Sequence, residues 1–316
     1  MGLIDALLNL NNETKLINSP DFSIEVSNAI IAPNRDDSAL TFEDFDNNSK
    51  KVKLLETCVV FIDMRHSTQL SMQHQNQVLA RLYSSFIRGV IQCAQFYEGK
   101  VRNIVGDGVM ILFDSAKCCE NAVNTAILLN TFSQYILNRH FRRNTIRCGI
   151  GIAYGSMMVI KAGTIKQGRE NSEYKSLVWL GKPANIASKL SDFANKSLAR
   201  DIVCMGRPKL GTYVLDWTDV EIDEFFNSLE NVYSPTIVAR FKPPYHNLQS
   251  FFKSVAYKHY PSILMTKPVY DGYKIACPDE VSIKKRFWRP RRIREISGKD
   301  VIYGGNVTFN VGKDIK

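Results

Sequence analysis

The apolar residues between positions 54 and 153 change period repeatedly and in a fixed order, and few folds accept that order. Residues 54–63 are short, apolar and rich in Val and Ile, which reads as a buried strand. Residues 72–97 carry Val78, Leu82, Phe86, Val90 and Ala94 at helical spacing, and Gly99 marks the stop. Val101 to Val105 and Val109 to Phe113 read as two strands joined at Gly106-Asp107-Gly108, since Asp-Gly is a strong hairpin signal. A second amphipathic helix follows over 116–138 through Ala122, Ala126, Leu129, Phe132 and Ile136, and Ile146, Cys148, Ile150 and Ile152 then alternate as a strand.

Beyond these, Val159-Ile160 and Val178-Trp179-Leu180 read as separate strands flanking a polar loop, 184–195 as a helix and Ile202-Val203-Cys204 as a strand. The order predicts an α+β sandwich: helices over a mixed sheet with a ferredoxin-like core. Residues 1–50 are polar and read as a lead-in with one short helix and one strand. Residues 51–210 form the main domain. From about 215 acidic residues, then aromatics and prolines, then a basic tail predict a smaller C-terminal α+β domain over 215–316.

The chain has 316 residues, enough for about two domains, and 45% of them are hydrophobic, so a sizeable core is expected. No apolar stretch reaches the ~20 residues of a membrane helix, and the N-terminus has neither the basic start nor the apolar core of a signal peptide. Seven cysteines without C-x-x-C spacing predict free thiols in a reducing cytoplasm, not disulfides or a zinc site. A net charge of +10 favours polyanionic partners without choosing among nucleotides, nucleic acid and anionic lipid. Lys284 to Arg294 can bind nucleic acid or a nucleotide, with Trp288 stacking on a base, or can be a solvated basic hairpin.

Two aspartates carry the chemistry. Asp63 ends the first strand, and Asp107 sits in the hairpin turn. Each alone reads equally as a solvated turn residue or a cap. Together, on neighbouring strands, they can share divalent cations, because buried carboxylates need counter-charge. After Asp63 the chain turns into a helix whose free N–H groups suit a phosphate, with Ser67 or Thr68 able to cap it.

These motifs resemble the class III nucleotide cyclases. Phe61-Ile62-Asp63-Met64 is similar to that family's first metal-aspartate motif and Ile104-Val105-Gly106-Asp107-Gly108 to its second. Gly149 to Gly155 is similar to its glycine-flanked central strand, and Leu180 to Leu190 to the helix bearing its transition-state residues. The resemblance spans about 54–205. It implies that Asp63, Asp107 and the Met64 carbonyl hold two Mn²⁺ or Mg²⁺ ions. It implies a nucleoside triphosphate substrate contacted by Phe61, Arg65, His66, Ser67 and Thr68, with Asn185 orienting the ribose. It implies a homodimer with sites at the interface, the metals from one protomer and Asn185 from the other.

The sequence departs from the family pattern at several positions. Lys189 stands where the family has an arginine on the α-phosphate, which keeps the charge but loses the planar fork, and Arg142, Arg143 or Arg147 can assist. Arg240 and Lys242 are weak matches to the family's triphosphate lysine. Asn103 and Val178 stand at the two base-reading positions, with bulky Trp179 beside them. An amide beside an apolar wall resembles the pyrimidine cyclases of bacterial anti-phage signalling (Pycsar) and implies UTP or CTP as substrate. A relaxed purine cyclase and a non-catalytic nucleotide-binding module are the other readings.

Overall fold

The computed structural model describes residues 2–141, 145–163, 165–166, 169–170, 175–210, 213–230, 240–241, 248–291, 293, 296 and 300–314. The strands in chain order are β1 Ser23–Ala29, β2 Ser49–Met64, β3 Lys100–Val105, β4 Gly108–Leu112, β5 Cys148–Ala162, β6 Ile165–Lys166, β7 Arg169–Glu170, β8 Ser176–Leu180, β9 Ser197–Pro208, β10 Leu215–Glu221, β11 Leu229–Glu230, β12 Arg240–Phe241, β13 Ser250–His259, β14 Ile263–Thr266, β15 Arg289–Arg291 and β16 Ile302–Gly305. The helices used below are α1 Leu3–Ile17, α2 Ser67–Gln73, α3 Asn76–Phe96, α4 Cys118–Thr131, α5 Asn138–His140, α6 Lys182–Phe193, α7 Ile222–Asn227 and α8 Lys267–Ala276.

The first compact unit comprises residues 1–195 and 261–316. Its sheet runs β15-β16-β14-β5-β2-β4-β3, with β1 also on β2 and β8 also on β5. The antiparallel heart, β5-β2-β4-β3, has the expected ferredoxin-like order, with helices inserted between β2 and β3 and between β4 and β5. β2 is apolar on both faces around Cys58–Val60 because both faces are covered. On one face Val60 and Ile62 pack with Leu82, Phe86 and Val90 of α3, Ala122 and Ala126 of α4, and Val269 and Tyr273 of α8. On the other, Leu55 and Val59 pack with Ala187 of α6 and with Ala32 of the lead-in.

The glycines of β5 set how α6 docks. A Cβ at Gly149 would stand 2.3 Å from the Ser191 carbonyl, and one at Gly151 would stand 2.1 Å from the Ala187 carbonyl. The helix backbone therefore rests directly on the strand, which no residue with a side chain permits.

Several boundaries differ from those expected. The expected helix over 72–97 is two helices, broken at His74 and Gln75. It ends at Phe96, before Gly99, and Glu98 takes the left-handed turn. Ile146 to Ile160 is not two strands: β5 runs unbroken from Cys148, because β2 pairs with it over its full useful length, from Lys53–Val159 to Met64–Cys148. The lead-in helix α1 is 15 residues long and buries none of them.

The division expected between 210 and 215 is not the one the structure makes. Residues 196–260 form the second unit, in which β10, β9 and β13 make an antiparallel sheet. Val203, Met205, Val220 and Phe225, the last from α7, form its small core. The chain then rejoins the first unit, where β14 pairs in parallel with β5 and antiparallel with β16. Composition registers the change of character near 215, but not the return of a four-residue buried strand.

Trp288 is 3% exposed and packs in the first core cluster, so it is unavailable to stack on a base. Arg292 and Arg294 of the same basic segment lie outside the described residues. Among the described residues no helix is long and apolar enough to cross a membrane.

Candidate active site

β2 presents Asp63 one residue past its Ile62–Val109 pair with β4 and opposite Gly149 of β5. β3 and β4 close at Val105–Gly108, so their loop is Gly106-Asp107 alone. Gly106 has φ 61°, the positive value that a two-residue hairpin turn requires at its first central position. Of the expected turn Gly106-Asp107-Gly108, only Gly106 and Asp107 form the loop, and Gly108 already belongs to β4. The Cβ position of Gly108 lies 3.9 Å from Asp63 Oδ1, so the turn abuts the β2 carboxylate.

Burial, and after it the facing Asp107, push the Asp63 carboxyl up to about 6 against the opposing pull of Arg65. Asp107 Oδ2 is buried without a hydrogen-bond partner. An orphaned acceptor beside a like charge is costly, and a divalent cation relieves both costs. The donors are hard oxygens, which suit Mg²⁺ or Mn²⁺. The Met64 side chain is buried in the core, so its carbonyl is the group it has to offer.

A stability prediction follows from the raised carboxyl. A folded-state value of about 6 against the ordinary 3.8 means that stability is fully present below about 3.8 and lost as pH rises through 6. In metal-free protein Asp63→Asn will therefore raise stability at pH 7.5. The side chain is 36% exposed, so solvent screening limits the gain to about 1 kcal/mol. Denaturant melts will show the gain at pH 7.5 and none at pH 4.

Arg65, expected at the substrate, is turned inward. It is 5% exposed, and its guanidinium donates to the Asp192 carbonyl at 3.1 Å and to the Ser191 carbonyl. Those carbonyls end α6, where a cation complements the helix dipole. Arg65 also lies 3.6 Å from Asp63 Oδ2, so it ties the end of α6 to the carboxylate strand. The cap expected from Ser67 or Thr68 is not made: exposed His66, at φ 60°, holds the N-cap position of α2 without a side-chain bond.

Asn185 and Lys189 are one helical turn apart on α6, both exposed, while Ala187 and Leu190 are buried. Phe61 of β2 and Ala184 and Ile186 of α6 each pack against the buried cluster that contains Ala187. Asn103 is exposed on β3, just past a bulge that leaves Arg102 without a cross-strand partner. Val178 is 37% exposed. Trp179 and Arg102, with Val101 and residues 34–36, line a cavity of about 320 Å³. The Trp179 Nε1 is buried without a partner, and Arg102 donates to the Ala32 carbonyl at 3.0 Å.

Arg102 and Tyr83 were not singled out in the sequence. The bulge that turns Arg102 inward has no sequence signal of its own. Tyr83 lies on α3, and burial, then the charge of Asp107, raise its hydroxyl; its place on the helix face toward the hairpin was the available clue. Arg147 is exposed, and its carbonyl accepts from the Arg65 N–H at 2.7 Å. Arg142, Arg143 and Lys242 lie outside the described residues.

The family model described as the adenylate and guanylate cyclase catalytic domain matches residues 50–199. A uridylate cyclase of Gulbenkiania mobilis is 30% identical over 222 residues, covering 64% of this chain and 81% of that protein. A uridylate cyclase of Propioniciclava tarda is 29% identical over 178 residues, covering 54% of this chain and 56% of that one. The solved guanylyl cyclase Cya2 superposes with a TM-score of 0.49 at 11% identity, over 81% of this chain and 94% of that chain. On the family match and the first relative, the chain belongs to the class III nucleotide cyclases, the enzymes that carry the adenylate and guanylate cyclase catalytic domain.

Proposed function

We propose that this cyclase converts UTP to 3′,5′-cyclic UMP and pyrophosphate, in the cytoplasm, as a homodimer whose product is a second messenger of anti-phage defence. The observation that carries the reaction is the paired Asp63 and Asp107, with an orphaned oxygen between β2 and the β3–β4 turn. Two Mn²⁺ or Mg²⁺ ions held there would supply Lewis-acid activation of the ribose hydroxyl and neutralise phosphate charge.

The ribose 3′-hydroxyl attacks the α-phosphorus, its proton leaves to water, and the bond to the bridging oxygen of the β-phosphate breaks. Asn185 orients the ribose and Lys189 offsets charge on the α-phosphate. Both project from the solvent face of α6, which suits service to a partner protomer's carboxylates. The partner supplies the reciprocal pair, so a two-fold dimer has two sites.

The pyrimidine reading rests on Asn103, whose exposed amide can donate to and accept from the edge of uracil, and on the bulk of Trp179 beside the 320 Å³ cavity. The names of the two relatives favour uracil over cytosine. Asn103→Ala will lower the ratio of kcat/KM for UTP to that for ATP by roughly tenfold to a hundredfold, the effect of losing a hydrogen-bonded reader. An unchanged ratio would remove Asn103 from base selection.

A further inference from the structure

Three thiols meet beside the middle of β2, five residues before Asp63. Cys58 comes from the middle of β2, and Cys118 and Cys119 open α4. Their sulfur atoms all lie within 4.8 Å of one another, with Cys58 and Cys119 3.6 Å apart. Cys58 is 0% exposed and Cys118 6%, while Cys119 is half-buried and gives a path inward. Gly272 of α8 closes over Cys119: a Cβ there would stand 2.6 Å from its sulfur. Nothing in the cyclisation site uses this cluster. The sequence argued against a zinc site because the cysteines lack C-x-x-C spacing; here the third ligand comes from a strand sixty residues away.

We propose that Cys58, Cys118 and Cys119 form a structural site for a soft divalent d¹⁰ cation of the zinc class. Sulfurs bound to one zinc at about 2.3 Å stand roughly 4 Å apart, which this cluster already allows. Charge selects the class. Three thiolates around a divalent ion leave a net −1, whereas a monovalent ion leaves −2 in a largely buried pocket, and burial penalises the larger charge. The remaining charge lies at the N-terminus of α4, where the helix dipole favours an anion. Binding releases the thiol protons to solvent and changes no oxidation state. It would fasten β2 to α4 and so stabilise the folded chain by mass action.

The test uses the full chain, reduced and stripped by chelator, then titrated with Cd²⁺ as the spectroscopic probe and with Zn²⁺. The expected result is an ultraviolet thiolate-to-cadmium band that saturates at one ion per chain and a higher melting temperature with Zn²⁺. Cys58→Ser and, separately, the half-buried Cys119→Ser will weaken cadmium binding by at least roughly a hundredfold, since even loss of a supporting partner costs up to that much. The proposal is overturned if fully reduced protein shows no such band, if the band survives both substitutions, or if two of the three thiols pair as a disulfide and no metal is taken up.

Discussion

Asp107→Ala will reduce nucleotide cyclisation by roughly a thousandfold or more, about 4 kcal/mol of transition-state stabilisation. The reason is local. Asp107 occupies a two-residue turn beside Asp63, and its Oδ2 is buried without a hydrogen-bond donor. Its removal leaves Asp63 without the carboxylate that faces it and takes away half of the paired charge that would hold the cations. The fold will not suffer, because the substitution also removes a like charge that helps to raise the Asp63 carboxyl. A melting temperature at or above that of the parent protein, together with lost pyrophosphate release, is the expected pair of readings. Retained activity would mean that the carboxylate pair is not the metal site.

The second large effect is complementation. Asp107→Ala and Asn185→Ala will each be inactive alone, yet an equal mixture that exchanges subunits will recover about a quarter of the parent activity. Half of the dimers are then mixed, and each mixed dimer has one site with both residues intact. Asn185 and Lys189 stand on the solvent side of α6, whose opposite face is committed to β5 through Gly149 and Gly151. If the two sets of residues served the same protomer, no mixture would recover activity. Rates measured before and after subunit exchange separate the two cases.

The sequence announces the carboxylates because they sit on strongly patterned elements. β2 and β4 are apolar runs, and the Gly-rich turn between β3 and β4 is local chemistry. Asn185 and Lys189 are legible only through the resemblance of Leu180 to Leu190 to the family's helix; the buried stripe at Ala187 and Leu190 then leaves both on the solvent face. Long-range effects are what the sequence hides. The role of Arg65 depends on the carbonyls of Ser191 and Asp192, more than 120 positions away. The inward turn of Arg102 depends on a bulge, the burial of Trp288 on β15 and β16 returning to the main sheet, and the thiol cluster on the start of α4 meeting the middle of β2. Each of these follows from packing between distant segments, which period and spacing cannot express.

The central claim is the substrate. The direct measurement supplies the purified chain with an equimolar mixture of ATP, GTP, CTP and UTP and Mn²⁺, and identifies the cyclic products by mass spectrometry. Cyclic UMP will dominate, with pyrophosphate in equal amount. Cyclic AMP or cyclic GMP as the main product would contradict the account.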